Sequence, residues 1–208
     1  MPQCTSIGLR CCKIYSVLKY AAFLLVACVA ASGESVQPIV DNERVTVWDV
    51  TWTKGQPNPL PKTEHDFVAV SLTNRGTAVF RHKGETPGEE GARTVVIELK
   101  DHAVAPLENK SGYPLAFPRP HVKKLIDTDR FTVWSYRWNP GEPTPMHFHD
   151  KDVVVVYMED TALKSTTPDG KSVINEYKSG QTKFNLRDRI HSELLVRGTG
   201  SAVMTELK

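Results

Sequence analysis

Gly141-Glu142-Pro143-Thr144-Pro145-Met146-His147-Phe148-His149 decides how this chain is read. Side chains alternate along an extended backbone, so His147 and His149, two apart, fall on one face. A third histidine ends the segment Arg189-Ile190-His191, and four of the seven histidines lie elsewhere, so the three form a selected arrangement rather than part of a His-rich tract. Two imidazoles from one strand and one from a distant strand supply three corners of a metal site.

Around these residues the sequence reads almost wholly as strands and turns. Short, Val- and Thr-rich, alternating runs fall at 44–52, 66–74, 77–81, 93–99, 130–138, 153–159, 163–166, 172–177, 182–185, 191–196 and 202–206. Asp169-Gly170 and Lys178-Ser179-Gly180 mark turns between them. No stretch carries a 3.6-residue apolar period with caps at both ends, so helix content is expected to be low. An internal repeat is present. Val47-Trp48-Asp49-Val50-Thr51-Trp52 matches Val133-Trp134-Ser135-Tyr136-Arg137-Trp138 at an offset of 86, and Asp66-Phe67-Val68-Ala69-Val70 matches Asp152-Val153-Val154-Val155-Val156 at the same offset. The fold expected is all-β, one antiparallel barrel over 44–208 made of two repeated halves that cover each other's edges. Residues 32–43 are expected to be flexible. Residues 101–129 form the crossover, with 107–120 irregular and His121-Val122-Lys123-Lys124 a solvated surface.

The beginning of the chain has another character. Arg10, Lys13 and Lys19 precede Tyr20-Ala21-Ala22-Phe23-Leu24-Leu25-Val26-Ala27-Cys28-Val29-Ala30-Ala31, with no acid near them. A positive segment followed by a short apolar one reads as an export leader over 1–31, too short to span a bilayer as a stable helix. Cleavage near Ala31 gives a periplasmic or secreted protein. Alternatively, Leu25-Val26-Ala27-Cys28 resembles a lipobox, which makes Cys28 the lipidated first residue of an outer-envelope lipoprotein. Cys4, Cys11, Cys12 and Cys28 are all the cysteines, so the remainder holds no internal disulfide, Cys nucleophile or Cys-ligated zinc. The whole chain has 26 basic and 24 acidic residues, and loss of the three leader bases leaves 23 against 24. No later segment pairs a basic run with spaced aromatics, so nucleic acid is not an expected partner. Membrane contact is expected only through the leader or a lipid on Cys28, and a homodimer stays open.

On these motifs the chain resembles the cupin superfamily. The first motif of that family runs Gly, five residues, His-x-His, three or four residues, Glu, six residues, Gly; here it is Gly141, His147 and His149. The second motif is met by Gly180 and His191 in spacing, while Leu186, Asp188 and Leu195 stand where the family has Pro, Gly and Asn. Asp160 replaces the first motif's final Gly. The resemblance implies a double-stranded antiparallel β-helix, or jelly-roll barrel, with a degenerate first half. It also implies metal ligands at His147, His149 and His191, with Val153 where the family glutamate would stand. Valine binds no metal. Asp152 is expected to point away unless a β-bulge turns it inward.

Three neutral imidazoles suit Fe, Zn, Ni or Cu and leave positions open to water and substrate. Tyr157 shares parity with His147 and Val153 and is the candidate catalytic hydroxyl, although such a tyrosine more often serves as a cavity wall. Glu193 shares parity with His191 and is a candidate acceptor for a ring N–H. Tyr136, Arg137 and Glu159 are weaker candidates, as are His65 with Glu64, and Arg81-His82-Lys83. Two functions compete. One is an exported metal-dependent enzyme, a dioxygenase or related oxidoreductase acting on a small oxygen-bearing molecule. The other is a non-catalytic envelope protein binding a small molecule or sugar, with a ring stacked on Trp48, Trp52, Trp134 or Trp138.

Overall fold

A computed structural model describes residues 36–74 and 76–208. The expected leader, including Cys28, lies outside the described residues. Among those described there is no helix. Fourteen strands follow in order: β1 (Val40–Asp41), β2 (Val45–Thr51), β3 (Phe67–Ser71), β4 (Thr77–Arg81), β5 (Arg93–Leu99), β6 (Val122–Asp127), β7 (Phe131–Arg137), β8 (His147–His149), β9 (Val153–Tyr157), β10 (Thr161–Thr166), β11 (Ser172–Tyr177), β12 (Thr182–Asn185), β13 (Arg189–Gly198) and β14 (Ser201–Leu207). They form three antiparallel sheets, ordered β1-β2-β5-β3-β4, β12-β9-β14-β7-β6 and β11-β10-β13-β8.

The sequence repeat is a structural one. In the first sheet β5 lies between β2 and β3, as β14 lies between β7 and β9 in the second. The registers agree as well: Val45 faces Leu99 as Phe131 faces Leu207, and Phe67 faces Glu98 as Val153 faces Glu206. Polar contacts are duplicated. Thr46 Oγ1 donates to Asp41 at 3.0 Å, and Thr132 Oγ1 to Asp127 at 2.9 Å. Arg44 Nη2 donates to the Lys208 carbonyl at 2.9 Å, and Arg130 Nη2 to the Lys100 carbonyl at 3.0 Å, so each half reaches into the other.

Strand alternation decides what lies between the layers. Val45, Val47, Val68, Val70, Val95 and Ile97 of the first sheet meet Phe131, Val133, Val154, Val156, Val203 and Leu207 of the second in one core. The opposite face of the second sheet carries Trp134, Tyr136, Val153, Val155, Tyr157 and Met204, which pack with Leu163, Tyr177 and Leu195 of the third sheet. The second sheet is therefore buried on both sides. That accounts for the unbroken Val153-Val154-Val155-Val156, since a strand covered on both faces needs no polar alternation. The halves are unequal. The second and third sheets together enclose the histidines, whereas on the outer face of the first sheet, among the described residues, Trp48, Phe67 and Val96 pack with Leu60 and Val36.

Three expectations about irregular segments need correction. Residues 40–41, inside the stretch expected to be flexible, pair with Val47 and Thr46. Asn42 Oδ1 accepts from the amides of Arg44 and Val45 at 2.9 and 3.0 Å and closes that hairpin. Residues 122–127 form an edge strand on β7; its lysines are exposed, as expected, but its backbone is paired. Finally, 107–120 is not merely irregular. The Phe148 amide donates to Pro114 O and the Ala116 amide to Phe148 O, both at 2.8 Å, so the crossover is tied alongside β8.

Candidate metal centre

β8 and β13 bring the three histidines together. His147 lies directly opposite His191 in the ladder, and Arg189 opposite His149. All three rings are buried, with centroids 4.7 to 5.1 Å apart. Their ligand atoms lie within 4.8 Å of one another, and no other cluster of this kind occurs among the described residues. His149 Nε2 and His191 Nε2 are 3.1 Å apart. His147 Nδ1 is 2.8 Å from the Pro145 carbonyl, which can only accept, so Nδ1 carries the proton and Nε2 presents its lone pair. Burial, followed by Arg119 and His191, pushes His147 down to about 3, and burial with Arg189 and Arg119 pushes His191 down to about 3. Burial and the two neighbouring rings hold His149 far below the usual imidazole range. All three are therefore neutral, the form that ligates metal.

The donor set fits a divalent ion, with one adjustment. Arg119 Nη1 donates to His147 Nε2 at 2.7 Å, on the very lone pair a metal would use. An ion there replaces that hydrogen bond. His191 Nδ1 has Ser165 Oγ at 3.2 Å and Arg189 Nη2 at 3.3 Å. When Nδ1–H donates to Ser165, His191 Nε2 presents its lone pair, and the contact with His149 Nε2 is one an ion would replace. When Nδ1 accepts from Arg189, the Nε2 proton bridges to His149 instead. Neutral rings and convergent nitrogens suit Fe, Zn, Ni or Cu, but do not choose among them.

The cavity beside the rings has a volume of about 190 Å³. Val153 lines it, and so does Tyr157. Tyr157 stacks on Tyr177 at 3.7 Å with 8° between planes, and burial pushes its hydroxyl well above the ordinary phenol range, so the proton stays on. Asp152 is turned the other way. Its Oδ2 lies 2.7 Å from Arg44 Nη1, and its Oδ1 accepts from the Arg187 amide at 2.8 Å. Glu193 does not hold a ring N–H as expected. Its carboxylate accepts from Trp138 Nε1 at 3.0 Å and stands 4.0 Å from Arg119. The tryptophans proposed as stacking walls do not line the cavity; the aromatic walls are Tyr157 and Tyr177. Trp134 and Trp138 belong to the apolar core between the second and third sheets. Tyr136 lies under the Arg119 guanidinium, 4.3 Å from its ring centre. His65 lies near Glu98 and Asp101, and Arg81-His82-Lys83 is a hairpin end; neither reaches the histidine cavity.

Sequence reading missed Arg119. Its signal was present, since Phe117-Pro118-Arg119-Pro120 fixes the backbone on both sides of one arginine. The segment carries no strand periodicity that would tie it to the histidines.

The departures from the second motif are each accommodated. Asp188 sits at φ 65°, a left-handed conformation that favours glycine but that aspartate tolerates, and its amide donates to His149 O at 2.9 Å. Leu195 packs into the core beside the site, and Leu186 is exposed. Asp188→Gly is expected to stabilise the protein by about 0.5 to 1 kcal/mol, a small gain because glycine also loosens the unfolded chain. Urea midpoints measure it, and a loss of stability would show that the aspartate makes a favourable local contact.

The chain is similar to several solved structures. A cupin domain from Bordetella pertussis Tohama I is 30% identical, covering 46% of this chain and 96% of that one, with a TM-score of 0.40. A cupin 2 conserved barrel domain protein from Leptotrichia buccalis is 13% identical, covering 83% of this chain and 88% of that one, with a TM-score of 0.49. A polyketide cyclase from Streptomyces resistomycificus is 22% identical, covering 50% of this chain and 79% of that one, with a TM-score of 0.35. No family model and no curated protein matches. The 30% identity over 96% of the Bordetella pertussis cupin domain shows that the chain belongs to the cupin superfamily.

Proposed function

We propose that this cupin is an exported metal-dependent enzyme, of the dioxygenase or related oxidoreductase class, acting on a small oxygen-bearing organic molecule. The observation that carries the reading is the cluster of three buried, neutral imidazoles, two of which, His149 and His191, line a small cavity. An ion held by His147, His149 and His191 supplies Lewis-acid chemistry toward substrate oxygens, and electron transfer as well if it is redox-active. The chain's own residues do the rest. Val153, Val155 and Met204 keep part of the wall dry, and Tyr157 keeps its proton and offers a donor. No carboxylate neutralises the ligand set, so an ion there keeps its full charge and favours oxygen ligands that bear negative charge.

Metal analysis of protein purified without chelator, followed by oxygen uptake with small organic acids, tests this. Stoichiometric metal with substrate-dependent uptake is expected. Tight ligand binding with no product would make it a non-catalytic envelope binding protein. Tyr157→Phe is expected to lower turnover by about tenfold, less than loss of any of the three histidines, because the hydroxyl positions the bound molecule without holding the metal. A Tyr157→Phe enzyme as inactive as the histidine variants would move that hydroxyl into the chemical step.

A further inference from the structure

We infer that the histidine cavity carries its own carboxylate subsite, built on Arg119 with Arg189 and Lys183 beside it, and that the ligand is a small organic acid bound there as its anion; this rests on the proposed function only for where the ligand sits.

The Arg119 side chain is 5% exposed. A buried guanidinium costs several kcal/mol unless a charge of opposite sign and hydrogen bonds offset it. Here the offset is incomplete. The nearest carboxylate, Glu193, is 4.0 Å away, beyond hydrogen-bond distance, and one of its oxygens already accepts from Trp138. Nη1 is used on a neutral imidazole, and buried Nε has no partner. The guanidinium plane is nevertheless held in place, with Tyr136 4.3 Å and Phe117 5.2 Å from its carbon. A buried, oriented and under-paired arginine fork matches the planar, bidentate geometry of a carboxylate.

The rest of the lining agrees. Arg189 and Lys183 face the same cavity, and neither has a carboxylate within 4.0 Å among the described residues. Glu193 is the sole acid in the lining, against two arginines and a lysine, while Ser165, Asn175 and Asn185 add neutral polar groups. One sign of charge lining a low-dielectric cleft concentrates counter-ions of the other. Val153, Val155, Met204 and the Tyr157 ring give a carbon skeleton an apolar wall. At about 190 Å³ the space is below the range for drug-sized ligands, so the acid has few carbons.

Calorimetric titration of the purified full-length protein tests this, both metal-loaded and chelator-stripped. Acetate, succinate, glutarate and benzoate are compared with their matched amides and with inorganic phosphate. At least one carboxylate is expected to bind about tenfold or more tightly than its amide in both forms, and Arg119→Gln is expected to erase that preference. Arg189→Gln and Lys183→Gln reduce it by less, and they keep the test open if Arg119→Gln fails to fold. A merely structural Arg119 predicts a lower unfolding midpoint for Arg119→Gln; removal of an under-paired buried charge predicts an equal or higher one. Carboxylates that bind no better than amides, a preference that survives Arg119→Gln, or phosphate binding more tightly than every carboxylate would each overturn the subsite. Metal content of the same samples separates the two readings. Absent metal with anion binding intact removes the metalloenzyme and leaves the subsite, whereas intact metal with no anion preference does the reverse.

Discussion

His147→Ala, His149→Ala and His191→Ala should each lose stoichiometric metal and abolish turnover while the barrel stays folded. With two imidazoles left, the ion keeps neither enough donors nor a fixed position. Substitutions one shell further out already cost metal sites 10- to 100-fold in affinity, so loss of a direct ligand is expected to cost more than about 100-fold. Folding is largely indifferent because the neutral rings stabilise little. They are buried against one another and Arg119, and they belong to none of the apolar clusters that join the sheets. The stability change should fall within the ordinary range of about 1 to 3 kcal/mol. Elemental analysis, oxygen uptake and thermal unfolding on the same three variants read the three quantities separately. Wild-type turnover in all three would place the active site elsewhere in the molecule.

Much of this was legible in the sequence, for identifiable reasons. The strand pattern 131–137 and its copy 45–51 announce themselves because each buries two faces of different character. Val133 and Val47 turn to the core between the halves, and Trp134 and Trp48 turn to the outer side. The histidine pair was legible because a spacing of two fixes the face, and that geometry survives the loss of the surrounding motif residues. Arg119 was legible only as a proline-flanked arginine and not as part of the site, because what places it is a backbone pairing between 114–116 and Phe148 that leaves no periodicity in the segment itself. Nor was Glu193's partner. Parity puts that side chain on the same side as His191, but only packing decides that Trp138 Nε1 reaches it first. The inequality of the halves was hidden too. The repeat is symmetric in its paired strands, whereas the third sheet comes from β8, β10, β11 and β13, which have no counterpart in the first half.

Asp152→Ala should destabilise the protein by about 3 to 5 kcal/mol, more than any other single substitution proposed for it. The residue adjoins the position of the absent family glutamate, yet it works on the opposite side of the sheet. Its side chain is 5% exposed and that of Arg44 is 9% exposed, and they meet at 2.7 Å. Arg44 leads into β2 of the first half and also donates to Lys208 O at the end of the second. Asp152 leads into β9 and accepts from the Arg187 amide in the turn before β13. One carboxylate thus fastens the first half to the second and steadies the turn that presents His191. Alanine leaves a buried guanidinium without its counter-ion and a backbone N–H without its acceptor, and loss of one partner of a buried pair costs far more than the pair's net worth. At roughly 2 to 4 °C per kcal/mol for a domain of this size, the melting point should fall by about 6 to 20 °C. Asp152→Asn retains an acceptor for the Arg187 amide and should cost clearly less. Thermal and urea unfolding of both variants measure the difference. An Asp152→Ala protein within about 1 kcal/mol of wild type would mean that water reaches Arg44 and that the apolar core alone holds the halves together.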